Sequence, residues 1–179
     1  FFAFLVFALN PNILYMQSTP MTELPLIMFF ILSSYYFIRY VKNETEMLSL
    51  MAAAFFGFCA TLSRYDGWFL VLFEALVLFA LYFPRKIPFK RLIGRMVFFV
   101  TLAFFGILIW MIWDYLILGD PFYFTNSQFS ARTQQEAWYT RGELPSYHNI
   151  FLSIGYYLVT GMSNAGVLVF VLAAVGFIK

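Results

Sequence analysis

The side chains capable of chemistry fall into three short polar stretches of an otherwise apolar chain. Glu23 closes the first, residues 10–25, at the mouth of a hydrophobic run, where an acid is costly unless it has a partner or a task. Arg64, Tyr65 and Asp66 form the second, inside the corner 63–67. The third, residues 119–149, holds Asp120, Tyr123, Gln128, Arg132, Trp138 and Arg141 among further aromatic and amide groups. A guanidinium grips two oxygens of a phosphate at once. Arg64, with Arg132 and Arg141 as mobile alternatives, therefore suits a phosphate that gains charge as it leaves. Glu23 can orient a sugar hydroxyl, hold a divalent cation or position a base. Tyr15, Tyr65, Trp68 and Tyr123 can flank a sugar ring or a prenyl tail. These readings converge on a wet, polar cleft.

Each pick has a plainer rival. Glu23 also complements the positive end of its helix, worth about 0.3–1 kcal/mol. Arg64 and Asp66 also make an ordinary corner ion pair, with Arg64 reaching toward head groups. Arg132 and Arg141 also read as solvated loop residues, and His148 as an interface residue. Glu74, between Phe73 and Ala75, reads as a hydrogen-bonding group between helices, and Asp114 as a residue near the end of its span.

The elements that must position these groups are membrane helices. Hydrophobic residues make up 63% of the chain and charged residues 11%, with mean hydropathy +0.80, far from a soluble domain. A net charge of +2 is too small to attract nucleic acid. Cys59 is the lone cysteine and His148 the lone histidine, so neither a disulfide framework nor a histidine-based zinc centre is encoded. A divalent cation is the one cofactor left open.

Taken in order, residues 1–9 read as the last turns of a helix ended by Asn10 and Pro11. After the loop, residues 24–41 form a span, with Pro25 in its first turn and Thr22 or Thr19 capping it. Runs 47–62 and 68–83 pack as a short-helix hairpin around the corner 63–67. Residues 84–95 carry Arg85, Lys86, Lys90, Arg91 and Arg95 without an acid, the strongest orientation signal present. By that rule this turn and the 39–46 loop are cytoplasmic. Residues 96–118 return outward, 119–149 form one long external loop, 150–161 an interfacial helix, and a final span begins near Asn164. Glu23, the Arg64 corner and the long loop then share the outer face. The expected fold is an all-α polytopic transmembrane bundle, residues 1–179 being a single domain from a longer chain that lacks its first helix and first external loop.

Asn10, Pro11, Tyr15, Ser18 and Glu23, then Leu62 to Gly67, then Gly119, Asp120, Pro121 and Phe122, follow in an order that resembles the membrane-integral glycosyltransferases of the C superfamily. The group nearest in appearance contains the protein O-mannosyltransferases and aminoarabinose transferases. The likeness spans roughly residues 8–135 and implies an inverting transfer from a polyprenyl-phosphate sugar to an acceptor glycan, lipid or protein, on the non-cytoplasmic face of the bilayer. In that resemblance Glu23 takes the place of a second acid at a helix start. Arg64 takes that of the basic residue meeting the carrier phosphate. Outside the resemblance, Arg132 is a further candidate for the phosphate, and Tyr15, Tyr65, Asp66, Tyr123 and Gln128 are candidates to line the sugar or lipid. The principal base would precede Phe1. The readings from other classes are a transporter or channel fragment, with Glu23, Glu74 and Asp114 along a solute path, and a non-catalytic membrane subunit.

Overall fold

The computed structural model describes residues 2–19, 21–81, 88–128, 130–144 and 146–178, nearly all helical and without strands. In order the helices are α1 (Phe2–Ala8), α2 (Pro11–Gln17), α3 (Glu23–Lys42), α4 (Met47–Ser63), α5 (Asp66–Ala80), α6 (Phe89–Leu118), α7 (Tyr123–Asn126), α8 (Ala131–Thr140), α9 (Ile150–Ala165) and α10 (Val167–Ile178). Helices α3 and α6 are each long and apolar enough to cross a membrane. The pair α9 and α10, bent by 108° at its break, adds a third if counted as one broken span. These lengths and compositions mark a membrane protein. Arg85 and Lys86 of the cationic turn lie outside the described residues.

The chain divides into two units, residues 16–121 and residues 1–15 with 122–179. In the first, α4 is central, because α3, α5 and α6 all pack on it. Apart from Leu50, its buried face is built of small residues, Ser49, Ala53, Ala54, Gly57, Ala60 and Thr61. Lipid tails are as apolar as leucine, so helices in a bilayer associate through close packing rather than hydrophobicity, and small side chains allow it. A methyl group at Gly57 would sit 2.9 Å from Val71 Cγ1, and one at Gly106 of α6 would sit 2.1 Å from Thr61 Oγ1. Gly67, at the start of α5, is tighter against backbone, its Cβ meeting the Ala60 carbonyl oxygen at 2.3 Å.

Polar bonds lock this packing. Ser33 Oγ on α3 lies 2.9 Å from the Ala53 carbonyl on α4, and 2.9 and 3.2 Å from the two carboxyl oxygens of buried Glu74 on α5. One hydroxyl proton cannot serve both partners. The count closes when the carboxyl is protonated, Glu74 donating to Ser33 and Ser33 to Ala53. A charged Glu74 here would be an uncompensated buried ion. At the far end of α3, Arg39 pairs with Glu46. Arg95 donates to the Glu44 carboxylate at 2.9 Å and to its backbone carbonyl at 3.0 Å, with its guanidinium 5.5 Å from the Tyr40 ring centroid.

Helix ends differ from the sequence expectation in particular ways. Thr22 does occupy the N-cap of α3 but its hydroxyl caps nothing, and Thr19 donates back to the Met16 carbonyl at 3.4 Å. The polar stretch 10–25 contains α2 instead of being all loop. Lys90, Arg91 and Arg95 lie on α6, which starts directly after Pro88 and ends at Gly119 in the left-handed conformation, φ 75°, with its N–H on the Tyr115 carbonyl. In the second unit, the long loop carries α7 and α8, α8 being capped by Ser130 through the Thr133 N–H. At the α9–α10 break, the Asn164 carbonyl accepts from the side-chain amides of Asn10 and Asn12 at 3.2 and 3.1 Å, which satisfies a carbonyl the bend would orphan.

Gly67→Ala is expected to lower stability by about 1–3 kcal/mol, whereas Gly94→Ala, with nothing within 4 Å of its Cβ, leaves it unchanged or slightly raised. Denaturant titration of both variants in detergent measures the contrast, and equal stabilities would refute the tight α4–α5 turn. Infrared spectra at neutral pH should show a protonated carboxylic-acid band that Glu74→Gln removes; identical spectra would mean that Glu74 is ionised.

Candidate functional site

At the end of the four-helix unit away from Arg39 and Arg95, three helix termini meet. Arg64 is extended, φ −161° and ψ 161°, which stops α4 and swings its side chain across the N-terminus of α3. Its Nη1 donates to the Glu23 carboxylate and its Nε to Asp66 Oδ2 at 3.1 Å. The corner is closed by the Gly67 N–H on the Arg64 carbonyl and the Trp68 N–H on the Tyr65 carbonyl, both at 3.0 Å. The two carboxylates each open a helix, where the positive end favours them. Among the described residues Nη2 of Arg64 has no hydrogen-bond partner, and the side chain is 39% exposed. One edge of the guanidinium is thus open.

Aromatic rings wall this cluster. Tyr65 meets Trp68 edge-on at 5.2 Å and Trp110 of α6 at 5.7 Å, and Trp68 Nε1 donates to the Thr61 carbonyl at 3.2 Å. Burial raises the Tyr65 pKa above the usual phenol value, and the Asp114 carboxylate adds to the rise. Asp114 itself is buried one helical turn beyond Trp110.

The fold therefore gathers Glu23 with Arg64, Tyr65 and Asp66, from two chain-distant places. Trp110, absent from the sequence-based candidates, joins them, as does Asp114, which sequence reading noted without weight. The signal for both is the buried stripe Leu92, Arg95, Phe99, Ala103, Gly106 and Asp114 along α6, whose three- and four-residue steps also pass through position 110.

The other candidates belong to the second unit. Tyr15 on α2 is exposed, Tyr123 opens α7, and Gln128 is exposed between α7 and α8. Arg132 is 83% exposed and donates to Glu136 Oε1 at 3.1 Å along α8, which matches a solvated residue. Arg141 donates back to the Ala137 carbonyl at 3.1 Å. In the same unit Trp138, Tyr147, His148, Tyr156 and Tyr157 line a cavity of about 640 Å³, with the Tyr139 and Tyr147 rings stacked at 4.5 Å. Among the described residues no three metal-ligating side chains converge, and Arg64 holds both carboxylates of the corner.

No family model, curated protein or solved structure matches the chain. What the site can do is read from its chemistry alone. It offers a partly open cation held by two exchangeable acids beside a wall of aromatic rings.

The raised Tyr65 pKa makes a signed prediction. The folded chain holds the phenolic proton more tightly than the unfolded one. The resulting stability is present below pH about 10 and is lost as pH rises through the folded pKa. An alkaline absorbance titration, referenced to Tyr65→Phe, should place Tyr65 above an ordinary tyrosine. Asp114→Asn should lower it part of the way, burial remaining; no change on that substitution would separate the two groups.

Proposed function

We propose that this chain is part of a membrane glycosyltransferase that moves a sugar from a polyprenyl-phosphate carrier to an acceptor on the non-cytoplasmic face. The observation that carries the reading is the meeting of Glu23, Arg64 and Asp66 at one end of the helical unit, under the Tyr65, Trp68 and Trp110 rings. Two further facts support it. Lys42, Lys90, Arg91 and Arg95 belong to the opposite ends of α3 and α6, as the positive-inside rule requires of a cytoplasmic side. The motif order also resembles that of the C superfamily. A transporter would draw on Glu74, but its hydrogen bonds tie it into the packing of α3, α4 and α5.

Arg64 meets two carboxylates, so the phosphate has to compete for it. Both partners are partly exposed, 39% for Arg64 and 32% for Glu23. Such pairs are worth only about 0–1 kcal/mol, so exchange is easy. The carrier phosphate takes the open Nη2 edge and displaces Glu23 from Nη1. The acceptor oxygen then attacks the anomeric carbon as the bond to the phosphate oxygen breaks, its proton passing directly or through water to the departing phosphate, whose gathering charge Arg64 stabilises. Glu23, freed from its partner, orients a hydroxyl of the sugar. Asp66 stays on Nε and holds the guanidinium plane.

Arg64→Gln in the intact enzyme should lower sugar transfer about 100-fold or more and weaken carrier binding. Glu23→Gln should act in opposite directions on the two quantities. Binding of bare polyprenyl phosphate tightens because a competitor is gone, while turnover falls. Equal or weaker binding in Glu23→Gln would refute the displacement, and undiminished turnover in Arg64→Gln would remove this corner from the reaction.

A further inference from the structure

We propose that Asp114 and the Trp110 indole N–H together recognise a hydroxyl of the transferred sugar, an assignment that rests on the glycosyltransferase reading and extends the same corner. The buried stripe of α6 contains only two charged residues, Arg95 and Asp114. They stand at its two ends, about 28 Å apart along the axis at 1.5 Å per residue, close to the thickness of a bilayer core. Arg95 is fully accounted for by Glu44 and the Tyr40 ring. Asp114 is not: it is 5% exposed and makes no hydrogen bond or ion pair with any described residue. One turn before it, Trp110 Nε1 is buried and likewise has no partner among the described residues.

A sealed indole N–H without a described partner, one turn from a nearly buried carboxylate without one, is unusual, since buried donors and acceptors are nearly always paired. At a spacing of four residues their Cβ atoms lie about 5–6 Å apart, so the two side chains stand on one face of the helix. The chemistry then selects the ligand. A phosphate accepts from the indole but is repelled by the carboxylate. A cation satisfies the carboxylate and leaves the indole N–H unpaired. A hydroxyl does both, accepting from Trp110 and donating to Asp114. The Trp110 ring that carries the donor also packs on Tyr65, whose neighbour in sequence is the phosphate-facing Arg64, so phosphate and hydroxyl are read at adjoining points.

The test uses the intact protein in nanodiscs and two kinds of probe, bare decaprenyl phosphate and decaprenyl phosphate carrying mannose, glucose or arabinose. Wild type should bind at least one sugar-bearing carrier more tightly than the bare one. Asp114→Asn should erase about tenfold or more of that difference, and Trp110→Phe a smaller part, read as the ratio of sugar-bearing to bare-carrier affinity, while an unchanged melting temperature reports that the fold is intact. If Asp114→Asn fails to fold, Trp110→Phe decides. An undiminished sugar preference in the folded variants, or a wild type that binds every sugar-bearing carrier no more tightly than the bare one, overturns the hydroxyl assignment and leaves Arg64 standing. No binding of any carrier by wild type overturns the enzymatic reading itself, and this pair with it.

Discussion

The first unit depends on how closely other helices can approach α4. Leu50 apart, its side chains at the contact are serine, alanine, glycine and threonine, and the partner helices answer with Gly67 and Gly106. In a bilayer no solvent squeezes apolar surfaces together, so dispersion and a few internal hydrogen bonds must supply the cohesion. Both need short distances. Ser33 touches the Ala53 carbonyl and Glu74 at once where Gly57 lets α5 close over α4; a Cβ there would stand 2.9 Å from Val71 Cγ1.

The same closeness makes the corner. Gly67 lies so near the Ala60 carbonyl that α4 must end and α5 begin almost without a linker, leaving Arg64 and Tyr65 as the connection. An extended arginine in that place has little room to move its backbone. Its long side chain therefore finds the start of α3 on one side and the start of α5 on the other, and two helix-opening acids receive it. Packing by small residues and the charge cluster are consequences of one geometric constraint.

Much of this was legible in the chain. Apolar runs separated by short polar breaks give antiparallel neighbours, and alternation alone puts Glu23 at the end of the bundle that holds Arg64. The face of α6 was harder to read. Its apolar residues continue all round the helix, because the side toward lipid is as hydrophobic as the side toward protein, and the usual amphipathic contrast is missing. Small residues at positions 103 and 106 were the better guide. The cationic segment misled for a different reason: Pro84 and Pro88 suggest a loop, yet a proline just ahead of a helix fits it well, and α6 takes in Lys90, Arg91 and Arg95. Helix α8 was missed because it is short and mostly polar, with Trp138 and Tyr139 its only large apolar groups; Ser130 and the Arg132–Glu136 step are its local signals.

Helix α3 is fastened at both extremities, through Arg39 near one and Glu23 at the other. The two clasps are unlike: Arg39 grips Glu46 with two nitrogens, while Arg64 divides its nitrogens between Glu23 and Asp66. An anion that wins Arg64 opens one clasp and leaves the other shut. Between the clasps Ser33 ties the middle of α3 to Ala53 and Glu74, so the end beside Arg64 is the part that losing its clasp would free.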